Sequence, residues 1–119
     1  MRVEEIMSSP VISTLKSATI YHLKDLFKRE NINATPIIDK DGKILGIITS
    51  SDVAAVHNNS LYIQDILSTK VHICLKNNRI KDAAKTMVKH DIHHLVVMDN
   101  GNIVGMVSSM DIIKFFSNH

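Results

Sequence analysis

A seven-residue segment occurs twice in this chain. Gly46-Ile47-Ile48-Thr49-Ser50-Ser51-Asp52 returns as Gly105-Met106-Val107-Ser108-Ser109-Met110-Asp111. The pattern leading up to it returns as well: Ile6, Ser8, Val11, Ile20, Ile32 and Asp39 recur sixty residues later as Ile66, Ser68, Val71, Ile80, Ile92 and Asp99. One residue is then lost in a turn, and Gly42, Ile44, Gly46 and Asp52 match Gly101, Ile103, Gly105 and Asp111 at an offset of 59. A duplication at this period restricts the fold to two copies of one supersecondary unit, and it gives every candidate site residue a counterpart. Each copy, 1–59 and 60–119, is small enough to bury only ~60% of its unfolded surface, which is marginal alone. The joint His57-Asn58-Asn59-Ser60 is too short to separate them. One compact module with a shared core is therefore expected.

Within the first copy, residues 3–7 read as a short helical turn stopped by Ser8-Ser9-Pro10, and 11–14 as a strand. Ser17 is placed to cap a helix running to Glu30, with Ile20, Leu23, Leu26 and Phe27 on one face. Residues 35–39 and 43–48 read as strands joined by a turn at Lys40-Asp41-Gly42, and 51–56 as a helix. Pro36 favours an edge or strand-opening position for its strand. In the second copy the same elements fall at 61–67, 71–75, 78–90, 95–98, 103–107 and from Ser109 onward. Ile80, Ala83, Ala84, Met87 and Val88 are assigned to the inner helix face, and Asn100-Gly101 to the hairpin turn. A hairpin is antiparallel and a strand–helix–strand crossover favours a parallel pair. The fold class is thus α+β (mixed α/β): two β-α-β-β-α repeats with small mixed sheets flanked by helices.

Composition narrows the function. With 45% hydrophobic and 22% charged residues the chain has globular rather than disordered character. A net charge of +2, with no basic run beyond Lys28-Arg29, argues against nucleic acid. No run of eighteen apolar residues suggests a membrane span, and residues 1–5 lead into no secretory signal. A single cysteine, Cys74, precludes an intramolecular disulfide, so a cytoplasmic location is expected.

The repeated Gly-apolar-apolar-(Thr/Ser)-x-x-Asp motif, in register after matching helices and hairpins, resembles that of a tandem pair of CBS domains, the regulatory module named after cystathionine β-synthase. Ile-Asn-Ala-Thr-Pro-Ile-Ile-Asp (32–39) and Ile-His-His-Leu-Val-Val-Met-Asp (92–99) resemble the family's segment before its second strand. The resemblance spans residues 1–119. It implies two repeats packed about a pseudo-twofold axis, with clefts between them that take adenosine-containing ligands. It further implies a non-catalytic, stand-alone sensor, a homodimer acting on an unidentified client protein. No cofactor is required; AMP, ADP, ATP or S-adenosylmethionine would be the regulatory ligand.

Thr49 with Asp52, and Ser108 with Asp111, admit two readings. Thr-x-x-Asp at a helix start resembles a capping box, in which side chains satisfy free backbone groups. Alternatively the carboxylate accepts from a ribose diol while the hydroxyl and helix-start amides meet a phosphate. By the resemblance, one cleft combines Thr49 and Asp52 with Val71, His72, His93 and His94, and the other combines Ser108 and Asp111 with Val11, Ile12, Asn33 and Ala34. The first carries imidazoles that become cationic below pH ~6.5, so it is expected to be the better nucleotide site, tightening on mild acidification. The competing reading of His93 and His94 is as solvated turn residues. Val96 departs from the family's proline, kept as Pro36 in the first copy, and Asn33 and Ala34 lack basic character.

His72, His90, His93 and His94 carry no metal-ligand spacing, and neither a nucleophile elbow nor a phosphate-binding glycine loop is present. Cys74, between Ile73 and Leu75, reads as a small buried hydrophobe. Ile112, Ile113, Phe115 and Phe116 offer more apolar faces than one stripe needs, which supports a second hypothesis: a dimeric interaction module without a small-molecule ligand.

Overall fold

The structure is a computed structural model and describes residues 1–9, 11–67 and 70–118. Pro10, expected to help stop the first turn, and Ser68, the counterpart of Ser8, lie outside the described residues. The chain divides into two compact units that do not follow the repeat boundaries. The central unit is Ile12–Val71, and the terminal unit is Met1–Val11 together with His72–His119.

Both units have the same order of elements. The central unit contains β1 (Thr14–Leu15), α1 (Ile20–Glu30), β2 (Ala34–Ile38), β3 (Ile44–Thr49) and α2 (Ser50–Ala54), closed by a 3-10 turn at Ile63–Asp65. The terminal unit opens with a 3-10 turn at Val3–Glu5 and continues with β4 (Ile73–Leu75), α3 (Ile80–His90), β5 (His94–Asp99), β6 (Asn102–Ser108) and α4 (Ser109–Ser117). Each sheet is mixed: β1 runs parallel to β2 and β2 antiparallel to β3, as β4 does to β5 and β5 to β6.

The two 3-10 turns explain the division. Val3 N–H donates to Asn78 O (2.9 Å) and Ile80 N–H to Met1 O (3.2 Å); in the central unit Ile63 N–H donates to Ala18 O (2.8 Å) and Ile20 N–H to Leu61 O (2.8 Å). Val3 and Ile63 are fully buried, each in the cluster of the other repeat. The segment that leads into each repeat therefore completes the core of the other. The expected shared core is replaced, among the described residues, by two clusters. One is built on Ile20, Leu23, Phe27, Ile37, Ile48 and Ile63, the other on Val3, Ile80, Met87, Leu95, Val97 and Val107.

Local expectations hold in type and shift in detail. The cap of α1 is Thr19, whose side chain accepts from His22 N–H, rather than Ser17. The hairpins turn through Gly42 (φ 82°), and through Asn100 (φ 50°) with Gly101 (φ 80°), the left-handed conformations such tight turns require. Val88 is 83% exposed, not on the inner face, because α3 buries the narrower stripe Ile80, Ala83 and Met87.

Pro36 is neither at an edge nor at a strand opening: it is buried in β2, the middle strand. The second copy shows what this costs and how it is offset. There Val96 N–H donates to His72 O (3.2 Å). Pro36 has no N–H to give to the matching Ile12 O, and the neighbouring Thr35 hydroxyl donates to it instead (2.8 Å). The first strand of each unit also begins later than expected: residues 11–13 and 71–72 lie outside β1 and β4.

Candidate functional site

In the central unit the end of the hairpin gathers five of the expected residues. Ala34 pairs with Thr49 across β2 and β3, Ser50 N–H donates to Asn33 O (2.8 Å), and Ile12 O is held by Thr35. Thr49 caps α2. Asp52 Oδ2 accepts from the Thr49 backbone N–H (2.8 Å) and from the Thr49 hydroxyl (3.0 Å), and that hydroxyl also lies 2.9 Å from Ser51 Oγ. Asp52 is exposed. Both bonds from Thr49 fall on Oδ2.

Beside Asp52 lies a cavity of about 250 Å³ lined by Ile47, Ile48, Ser51, Asp52, Ala55 and Ile66. Its apolar wall was not among the expected site residues. The signal was present in the alternation of β3, which buries Gly46 and Ile48 and leaves Ile47 partly open. Ile66 had no such signal, because it arrives from the second repeat.

The terminal unit assembles the other motif differently. His94 pairs with Ser108 across β5 and β6, and Ser109 N–H donates to His93 O (2.9 Å). Asp111 Oδ2 accepts from Ser108 N–H (2.8 Å), while Ser108 Oγ accepts from Asp111 N–H (3.1 Å), a reciprocal capping box. His93 is exposed, with Nδ1 3.4 Å from Ser109 Oγ. His72 is partly buried, and its ring stacks on that of His90 with centroids 4.2 Å apart and planes 29° from parallel. The His90 imidazole titrates below the ordinary histidine range, first because water is displaced around it, then because of repulsion from His72 and Lys89. Val11 and Val71 are partly buried at the last positions of their segments. Each unit thus brings a Thr/Ser-x-x-Asp motif together with its own repeat's pre-strand residues.

Among the described residues no group of three or more His, Cys, Asp and Glu side chains is placed to hold a metal ion. Burial pushes the Cys74 thiol up to about 11, so the sulfur is neutral and unreactive near pH 7. Among the described residues no helix is long and apolar enough to cross a membrane.

Known proteins resemble this chain along nearly its whole length. L-aspartate semialdehyde sulfurtransferase of Methanocaldococcus jannaschii is 34% identical over 96% of this chain, a match that occupies 23% of the enzyme. The uncharacterized protein MJ1225 of the same organism is 30% identical over 98% of this chain and 43% of its own length. The chain thus spans less than half the length of either relative. Among solved structures, the CBS domain pair of protein MJ0100 in complex with 5′-methylthioadenosine and S-adenosyl-L-methionine superposes with a TM-score of 0.92 at 32% identity, covering 99% of this chain and 97% of that one. The family model of the CBS domain matches residues 3–58 and again residues 63–118. With the motif, the element order and the mixed sheets repeated in both matched segments, this chain belongs to the CBS domain family as a tandem pair.

Proposed function

We propose that this CBS pair is a non-catalytic regulatory module that binds an adenosine-containing ligand: AMP, ADP, ATP or S-adenosylmethionine. The observation that carries the reading is the arrangement at Asp52. A carboxylate with one oxygen outside the cap bonds borders an apolar-walled cavity of about 250 Å³. A ribose diol suits the carboxylate, and a purine suits a wall of Ile47 and Ile66. The MJ0100 pair, solved with two adenosyl compounds, supports the same ligand class. The residues proposed to carry binding are Thr49 and Asp52 with Val71, His72, His93 and His94, and Ser108 and Asp111 with Val11, Ile12, Asn33 and Ala34. The ligand acts by differential affinity, favouring the arrangement of the pair that it contacts best.

The test is thermal unfolding against adenosine compounds, with guanosine compounds as controls. A ligand at a hundred times its Kd stabilises the fold by ~2.7 kcal/mol. The expected result is an adenosine-selective rise in Tm that is lost in Asp52→Ala, a variant otherwise weakened by ~1 kcal/mol through its cap. No rise at millimolar ligand refutes the proposal.

A second reading, self-association without a ligand, is favoured by α4. Met110, Ile113 and Phe116 follow at three-residue spacing and are 52%, 57% and 63% exposed. On that reading Ile113→Lys lowers the sedimentation coefficient, and no adenosine compound shifts Tm.

A further inference from the structure

The two copies part company at a lysine that follows the first strand of each unit. In the terminal unit Lys76, just after β4, reaches Asp99 Oδ2 (3.3 Å) and Glu4 Oε2 (3.9 Å). Glu4 is brought there by its own N–H, which donates to Lys76 O (2.9 Å). Lys16 holds the same place after β1, and Gln64 N–H donates to its carbonyl in the same way (3.0 Å). Gln64, however, stands where the other copy has glutamate. The second partner, Asp39, is drawn off by the hairpin. Its turn is one residue longer than the matching turn after Asp99, and Asp39 Oδ1 accepts within it from Asp41 N–H (2.9 Å) and Lys43 N–H (2.8 Å). Two sequence differences thus deprive Lys16 of both ion-pair partners.

A cavity of about 260 Å³ stands where that ion pair would close. Leu15, 47% exposed, and Ile38 give it an apolar wall, and Lys16, Lys40, Asp39 and Asp41 line it with charge. Among the described residues none of these four is in an ion pair. The cavity also lies away from the Asp52 motif: Leu15 pairs with Ile38 at the last position of β2, whereas Thr49 pairs with Ala34 at its first. Two ammonium groups and two carboxylates around one apolar wall carry no net charge. A simple anion would meet the carboxylates and a simple cation the ammonium groups, and each mismatch counts against binding. A molecule with both charges on an apolar body gives every lining group a partner.

We propose that this cavity binds a zwitterionic α-amino acid with an apolar side chain. The ligand carboxylate accepts from the ammonium groups of Lys16 and Lys40, the ligand ammonium donates to the Asp41 carboxylate, and the side chain rests on Leu15 and Ile38. The site is independent of the adenosine reading at Asp52.

The probe is L-leucine, titrated into the full chain and followed by amide NMR shifts. Isocaproate, which is leucine without its ammonium group, and isoamylamine, which is leucine without its carboxylate, are the controls. Leucine is expected to give saturable shifts at residues 15–17 and 38–41. Both analogues are expected to bind about tenfold more weakly, because each lacks one charge-assisted hydrogen bond. Lys16→Met keeps the apolar stem of an exposed side chain, and Gln64→Glu gives Lys16 the partner that Glu4 gives Lys76. Each variant is expected to weaken leucine binding by about tenfold while the amide spectrum stays that of the folded chain. No saturable shift with leucine at tens of millimolar overturns the site. Either analogue binding as tightly as leucine overturns the zwitterionic class, and a leucine affinity unchanged in either variant overturns the role of Lys16.

Discussion

Gly105→Ala tests the exchange of leading segments directly. Gly105 lies in β6 under the backbone of residues 7 and 8. A Cβ there would stand 2.6 Å from Met7 Sδ and 2.8 Å from Ser8 O. The thioether can swing aside, but the carbonyl cannot. Ser8 is tied to Met106 in both directions, by Ser8 N–H to Met106 O (2.8 Å) and Met106 N–H to Ser8 O (3.1 Å). Making room therefore lifts the leading segment off the sheet and weakens two hydrogen bonds, each worth ~1 kcal/mol net. Overpacking strain contributes another ~1–3 kcal/mol. Against this, alanine restricts the unfolded chain more than glycine and returns ~0.4–1 kcal/mol. The net loss is about 2–4.5 kcal/mol, a fall in Tm of roughly 10–20 °C for a chain of this length. Urea denaturation of the variant gives the value. Gly101→Ala serves as control, because Gly101 has nothing within 4 Å and only its φ of +80° to satisfy; its cost is the ~1–2 kcal/mol of a left-handed residue. A loss below ~0.5 kcal/mol for Gly105→Ala would refute the argument that the leading segment is held down on this strand.

Two further outcomes follow from the local chemistry. Thr35→Val keeps the shape of a fully buried side chain but removes the hydroxyl that stands in for the missing Pro36 N–H at Ile12 O, so stability is expected to fall by ~1–2 kcal/mol in thermal unfolding; an unchanged Tm would show that the carbonyl does not need this partner. The lowered His90 midpoint makes stability depend on pH with a definite sign. From the unfolded histidine value near ~6.5 down to that lower midpoint, the unfolded chain holds more protons, so the unfolding free energy decreases as the pH falls and levels off below. Urea midpoints measured from pH 8 to pH 5 should show this decline, and His90→Gln should flatten it.

The duplication, the alternation of β3 and β6, the helical spacing of Ile20, Leu23, Leu26 and Phe27, and the glycines of the two hairpins were legible in the sequence. So was the Thr/Ser-x-x-Asp motif with its two open readings. Each is a local pattern, set by the period of one element or the dihedral needs of one turn. Tertiary structure decided which segment completes which core. Val3 and Ile63 occupy matching positions in two copies of one apolar pattern, so that pattern within either copy suits its own core and the other alike, and only docking distinguishes them. The middle-strand place of Pro36, the donor supplied by Thr35, the wall that Ile66 gives the cavity at Asp52 and the stacking of His72 on His90 belong to the same class. All join residues through space rather than through periodicity. A one-dimensional pattern fixes which face of an element is apolar; what that face meets is set by packing in three dimensions.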